Sequence, residues 1–160
     1  MAKPTDVASD DAVMSKAPAW FDIQLTDVNS GQPFKLSDFK GQVVLVEAMA
    51  VWCTNCTRQQ RELVNLHSQI GDAAFSVSLD IDLNEDAALL RQHAQSNGFD
   101  WRYAVAPPEL VQALADEFGN SFLNPTSVPM FLIDTGGGVH QLDFGHKTVD
   151  YLTTQIQSYQ

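Results

Sequence analysis

The stretch VVLVEAMAV, residues 43–51, is apolar at every position except Glu47 and rich in β-branched side chains. A strand with water on one face alternates apolar and polar residues; one that stays apolar needs cover on both faces. This run therefore belongs at the centre of a sheet sandwiched between other layers. The flanking sequence supplies those layers. A helix is expected from Thr54 to Ile70, closed by Gly71. AAFSVSLDID then places Phe75, Val77, Leu79 and Ile81 on one face of a second strand, and NEDAALLRQHAQSNG reads as a helix with acids at its start and a Gly stop. WRYAVA is a short strand, and PPELVQALADEFG a helix that opens on proline. MFLID, the turn TGGG and VHQLDF make a strand, hairpin and strand, followed by a helix over residues 148–158.

Upstream, AWFDIQLTD alternates as a strand does, and SGQPFKLSDFKGQ reads as a hairpin plus a short helical turn. Residues 1–16 are small and polar without apolar periodicity, as expected of a mobile leader or linker, so the folded unit is expected over 17–160. Strands alternating with helices, then a terminal hairpin and helix, indicate an α/β sandwich around a mixed sheet.

A chain of 160 residues suits one domain and buries roughly two-thirds of its unfolded surface, so no disulfide staple is needed for folding. The formal charge of −11 argues against a nucleic-acid footprint or an anionic-membrane surface. No apolar run reaches the ~20 residues that span a bilayer, and no signal-peptide pattern opens the chain. Membrane insertion by this chain is not expected, which leaves room for a leader or anchor removed ahead of residue 1.

The only two cysteines, Cys53 and Cys56, follow the buried strand directly in AVWCTNCTR. Cys56, Leu63, Leu66 and Ile70 share one helix face, so Cys56 is expected to point inward. Cys53 falls at the first turn, where free N–H groups and the positive dipole end stabilise a thiolate. An exposed attacking sulfur beside a shielded one is what disulfide exchange requires. Trp52 would add an apolar platform beside the pair. Other readings stay open at this point. A structural bridge would close too short a loop to stabilise much. Zinc would need further ligands from His67, His93, His140 and His146. Copper could be held by the two thiolates and His140, although His140 alternates with Leu142 and Phe144 on a predicted strand.

The parts APAWFDIQLTDVNSGQPFKLSDFKGQVVLVEAMAVWCTNC, FSVSLDID and SVPMFLIDTGGGVHQLDFG together resemble the thioredoxin superfamily, in its TlpA/ResA-like branch. The resemblance runs from Ala17 almost to the end. It implies a thioredoxin-like fold with an N-terminal hairpin and an extra βα insertion between the Cys-x-x-Cys helix and the later proline strand. It also implies dithiol–disulfide exchange on protein substrates, an upstream redox donor, no cofactor or metal, and an extracytoplasmic setting, with the cytoplasm left open. Carried over by position, Cys53 matches the nucleophile and Cys56 the resolving thiol. Pro129 matches a cis-proline facing the sulfurs, and the backbone of Val128 a docking edge for a substrate strand.

Two departures bear on the redox direction, which the resemblance sets as reductase. The pair between the cysteines is Thr54-Asn55, without the usual proline. Glu47 stands where many relatives carry an amide and thioredoxins an aspartate. In an apolar strand its carboxyl should have a raised pKa and exchange protons with Cys56, unless it turns to solvent or meets Arg58 or Arg61. A peroxidase of the peroxiredoxin type would need Thr three residues before its reactive cysteine. That position holds Ala50 before Cys53, and Cys53 before Cys56.

Overall fold

A computed structural model describes residues 17–160; the expected leader over 1–16 lies outside them. The apolar run forms β3 (Val44–Met49), buried along its whole length. It pairs in parallel with β4 (Phe75–Asp80) and antiparallel with β6 (Met130–Ile133). β5 (Arg102–Val105) extends the sheet beyond β4, and β7 (Val139–Gln141) extends it beyond β6, giving the order β5-β4-β3-β6-β7. A separate antiparallel pair, β1 (Leu25–Thr26) and β2 (Pro33–Phe34), is the expected N-terminal hairpin.

Four helices follow from local signals. α1 (Thr54–Ile70) starts at Cys53 and stops at Gly71, whose φ of +56° suits a residue without Cβ. α2 (Ala87–Asn97) is capped by Asp86, which accepts from the Leu89 N–H, and ends on left-handed Gly98. α3 (Pro108–Phe118) opens on proline, and α4 (Val149–Ser158) is capped by Thr148. Together β4, α2, β5 and α3 fill the interval between α1 and the Pro129 strand.

One expected strand is shorter than its sequence suggested. In AWFDIQLTD, residues Ala19–Asp22 form a single 3₁₀ turn, and pairing begins only at Leu25. The reason is the adjacent aromatic pair. Trp20 packs edge-on against both Phe21 (4.9 Å) and Phe131 (5.7 Å), on one side of the sheet. An extended strand would send neighbouring side chains to opposite faces.

The sheet separates two cores. Val44, Val46, Ala48, Val77, Leu79, Phe131 and Ile133 face the N-terminal segment and α3. Leu45, Met49, Tyr103, Met130 and Leu132 face α1, α2 and α4, and both cysteines belong to this second side.

Candidate active site

The site forms where β3 ends and α1 begins. A tight turn, with the Cys53 N–H donating to the Ala50 carbonyl at 3.1 Å, swings the chain from strand to helix. Cys53 takes the N-cap position: its Sγ accepts from the Cys56 N–H at 3.1 Å, filling the role a serine or aspartate hydroxyl or carboxyl usually plays. Cys53 and Cys56 are joined in a disulfide with Cα atoms 5.2 Å apart, within the ordinary range for such a bridge. Cys56 Sγ lies 3.2 Å from the Pro125 carbonyl, which would accept a hydrogen bond from the thiol after reduction.

The expected contrast in exposure is absent from this oxidised form. Both cysteines are 1% exposed. The Pro125–Ser127 turn lies against Cys56 and the start of α1, so the asymmetry lies in hydrogen bonding and helix position rather than in solvent contact. Trp52 does stand at the rim, 55% exposed, with its Nε1–H donating to Asp82 at 2.8 Å. The Val51 N–H donates to Glu85 Oε1 at 2.8 Å, so the loop after β4 ties down the turn on both sides of its apex. Behind Glu85 lies Asp80, fully buried. Burial, and then the Glu85 carboxyl beside it, push Asp80 up to about 8, so Asp80 is mostly protonated at neutral pH.

Glu47 lies beneath the couple on the α1 face of β3, buried and without an arginine partner. It accepts from Ser78 Oγ–H at 2.6 Å. Ser78 in turn accepts from the Trp101 indole at 2.9 Å. On the helix side Gln60, one turn after Cys56, approaches the same carboxyl. Its Oε1 accepts from Tyr103 OH at 2.9 Å and meets His93 Nε2 at 2.8 Å, while its Nε2 is buried without a hydrogen-bond partner. Desolvation dominates over these contacts and the Lys147 charge, and holds Glu47 up at about 7. Glu47 thus titrates near neutrality on the sheet face that α1 and both cysteines pack against.

The loop that faces the sulfurs departs from expectation. No peptide bond among the described residues is cis, so the bond before Pro129 is trans. The chain makes its turn at Val128 instead, with φ 52° and ψ 58°. That left-handed geometry is unfavourable for a β-branched residue. Nor is the Val128 backbone idle: its N–H donates to the Pro125 carbonyl at 2.9 Å, and its own carbonyl accepts from Lys147 Nζ at 2.7 Å.

Sequence reading missed the residues that support this site, Gln59, Gln60, Asp80 and Lys147 among them. Gln59 and Gln60 lie on the inward face of α1, at steps of three and four from Cys56, where the helical period could have placed them. Asp80 and Lys147 gave no such signal. Gln59 grips the Lys147 backbone from both sides, its Nε2 donating to the carbonyl at 2.9 Å and its Oε1 accepting from the N–H at 2.7 Å. His140 lies apart from the sulfurs in function: its Nε2 pairs with Asp134 at 2.7 Å and its ring stacks on Tyr159 at 3.9 Å. Among the described residues no three His, Cys, Asp or Glu side chains converge as a metal site.

Known proteins share this arrangement. Residues 12–154 match the Redoxin family. The chain is 25% identical over 147 residues to the thiol-disulfide oxidoreductase ResA of Geobacillus kaustophilus, covering 92% of this chain and 78% of that protein. A thioredoxin-family thiol:disulfide interchange protein from Chlorobium tepidum superposes with a TM-score of 0.70 at 18% identity, over 86% of this chain and 92% of that one. A secreted disulfide oxidoreductase of Mycobacterium tuberculosis superposes with a TM-score of 0.65 at 14% identity, over 89% and 99%. With the match extending from before the hairpin to the last helix and the Cys-x-x-Cys couple in place, the chain belongs to the redoxin family and works as a thiol–disulfide oxidoreductase.

Proposed function

We propose that this oxidoreductase runs as a reductase of polypeptide disulfides, outside the cytoplasm, with Cys53 as nucleophile, Cys56 as resolving thiol and Glu47 as proton carrier. Starting from the dithiol, the Cys53 thiolate attacks one sulfur of a substrate disulfide. A mixed disulfide forms and the other substrate sulfur leaves as a thiolate. Glu47 takes the Cys56 proton, and the Cys56 thiolate attacks Cys53 Sγ. The intramolecular disulfide forms as the second substrate sulfur leaves. Two electrons have then passed to the substrate, whose two thiolates take one proton from Glu47 and one from solvent, and an upstream dithiol must restore the couple.

The charge around the couple carries the direction. Two acids are tied into the cysteine turn, Glu85 by the Val51 N–H and Asp82 by the Trp52 indole. Carboxylates disfavour thiolates, and a couple whose reduced form is poorly stabilised is a reductant. The setting is supported by the secreted mycobacterial protein of the same fold. Equilibration with a glutathione or dithiothreitol buffer should give a potential nearer the about −270 mV of thioredoxin than the about −120 mV of DsbA. A value at the oxidising end would reverse the direction. Cys56→Ser should trap mixed disulfides that Cys53→Ser cannot form; trapping by the second variant alone would exchange the two roles.

A further inference from the structure

Lys147 is a buried cation that the exchange steps above do not use. It lies on the loop between β7 and α4, 3% exposed, and its ammonium donates to three carbonyls: Val128 at 2.7 Å, Gly145 at 2.7 Å and Asp143 at 2.8 Å. An ammonium has three N–H donors, so each finds its acceptor. Its backbone is held just as firmly by the Gln59 side chain, three residues after Cys56 on α1. The Lys147 loop is thereby bound at once to the helix that carries the cysteines and to the segment that covers them. A further tie links the same two loops, the Gly145 N–H donating to the Ser127 carbonyl at 2.7 Å.

The carbonyl at the far end of this chain of contacts belongs to the most strained residue of the site. Val128 is the only non-glycine with positive φ among the described residues, and it precedes a proline, where extended backbone is preferred. Such conformations persist only where the surroundings over-determine them. Here the determinants are the Pro125 carbonyl on one side and the Lys147 ammonium on the other. Phe144, 44% exposed, sits on the same loop as Lys147 and gives the surface there an apolar ring.

We infer that Lys147 is a positioning residue: by holding the Val128 carbonyl it fixes the covering segment against the disulfide and so sets how well a polypeptide substrate seats beside Cys53. Lys147 touches neither sulfur nor substrate and takes no part in the bond exchange. Small disulfides, which need no seat, are indifferent to it. The inference rests on the reading of this site as one that acts on polypeptide disulfides.

The test compares wild type, Lys147→Met and Lys147→Gln on insulin and on 2-hydroxyethyl disulfide, with a dithiol donor. Lys147→Met should raise KM for insulin about tenfold while kcat stays within about threefold, the signature of lost binding shared by ground and transition states. The rate with the small disulfide should fall by less than about threefold, so the ratio of the two activities shifts. If Lys147→Met does not fold, Lys147→Gln, which keeps an N–H for a carbonyl but no charge, carries the same comparison. An unchanged insulin KM overturns the inference, and so does an equal loss on both substrates, which would place Lys147 in stability alone. A wild-type protein with two free thiols that reduces no insulin would instead defeat the functional reading and leave the Lys147 geometry aside.

Discussion

The two faces of the central sheet are built to different standards. On the face towards α3, residues from β3, β4 and β6 meet Phe21, Leu36, Leu110, Leu114 and Phe122, and every buried member of that cluster is apolar. On the face towards α1, the same strands contribute Glu47, Ser76, Ser78 and Asp80, and the helices add Gln59, Gln60 and His93. Both sides lie in the same dry interior, so the second pays a desolvation cost that the first avoids. Buried polar groups survive there because nearly all find partners, Ser78 two of them. One side of the sheet is apolar throughout, and the other sets buried polar groups within an apolar core of its own.

That division can be broken at its apolar side with the largest effect. Phe122 is fully buried and stacks on Phe118 with ring centroids 4.4 Å apart. Phe122→Ala should cost about 3–5 kcal/mol in urea unfolding while the exchange rate per folded molecule changes by less than about twofold. A loss of rate in step with stability would show that the two faces are not separable.

The polar face should respond in the opposite sense. Glu47 has a folded-state pKa of about 7 against 4.5 for the free side chain. Folding thus binds an extra proton between those values, and stability falls as pH rises through the window, by about 3 kcal/mol in all. Glu47→Gln keeps a polar contact for Ser78 but has no proton to lose. Its stability should fall less steeply than wild type's from about pH 4.5 to 7, with the slope that Asp80 contributes remaining, and be equal to or above wild type at neutrality, read by urea melts across that range. Turnover near pH 7 should fall by roughly ten- to a hundredfold, with a smaller deficit at high pH where thiols ionise unaided. A variant that is less stable yet equally fast would make Glu47 a structural partner only.

The smallest effect is expected at the hairpin outside both cores. The His140–Asp134 pair is partly exposed. His140→Ala should cost no more than about 1 kcal/mol in thermal or urea melts and leave turnover intact. Retention of Cu(I) by wild type after desalting, with loss on this substitution, would revive a copper-carrying role for the two sulfurs.

Both sides were legible where the signal is local. β3, the phasing of Phe75, Val77, Leu79 and Ile81, and the bounds of α1 at Thr54 and Ile70 all follow from period, caps and breakers, which are local. Cys53, Cys56 and Glu47 were legible because they sit within that same short strand–helix passage. Lys147 was not: it meets Gln59 across 88 positions and Val128 across 19, and no period in either segment signals such a meeting. Asp80 closes a strand with Asp82 and Glu85 shortly after it, and only the fold shows which of the three is buried. The turn at Val128 escaped for a related reason, since its trans geometry depends on what grips its two backbone groups and not on the residues beside it.

The near-complete enclosure of both sulfurs has a consequence for traffic. A disulfide that solvent barely touches reacts more slowly with small thiols than an exposed one, because reaching it means displacing what encloses it first. Equilibration with a small-molecule redox buffer therefore takes longer for this couple than for one on the surface, and its oxidation state lags behind any change in that buffer.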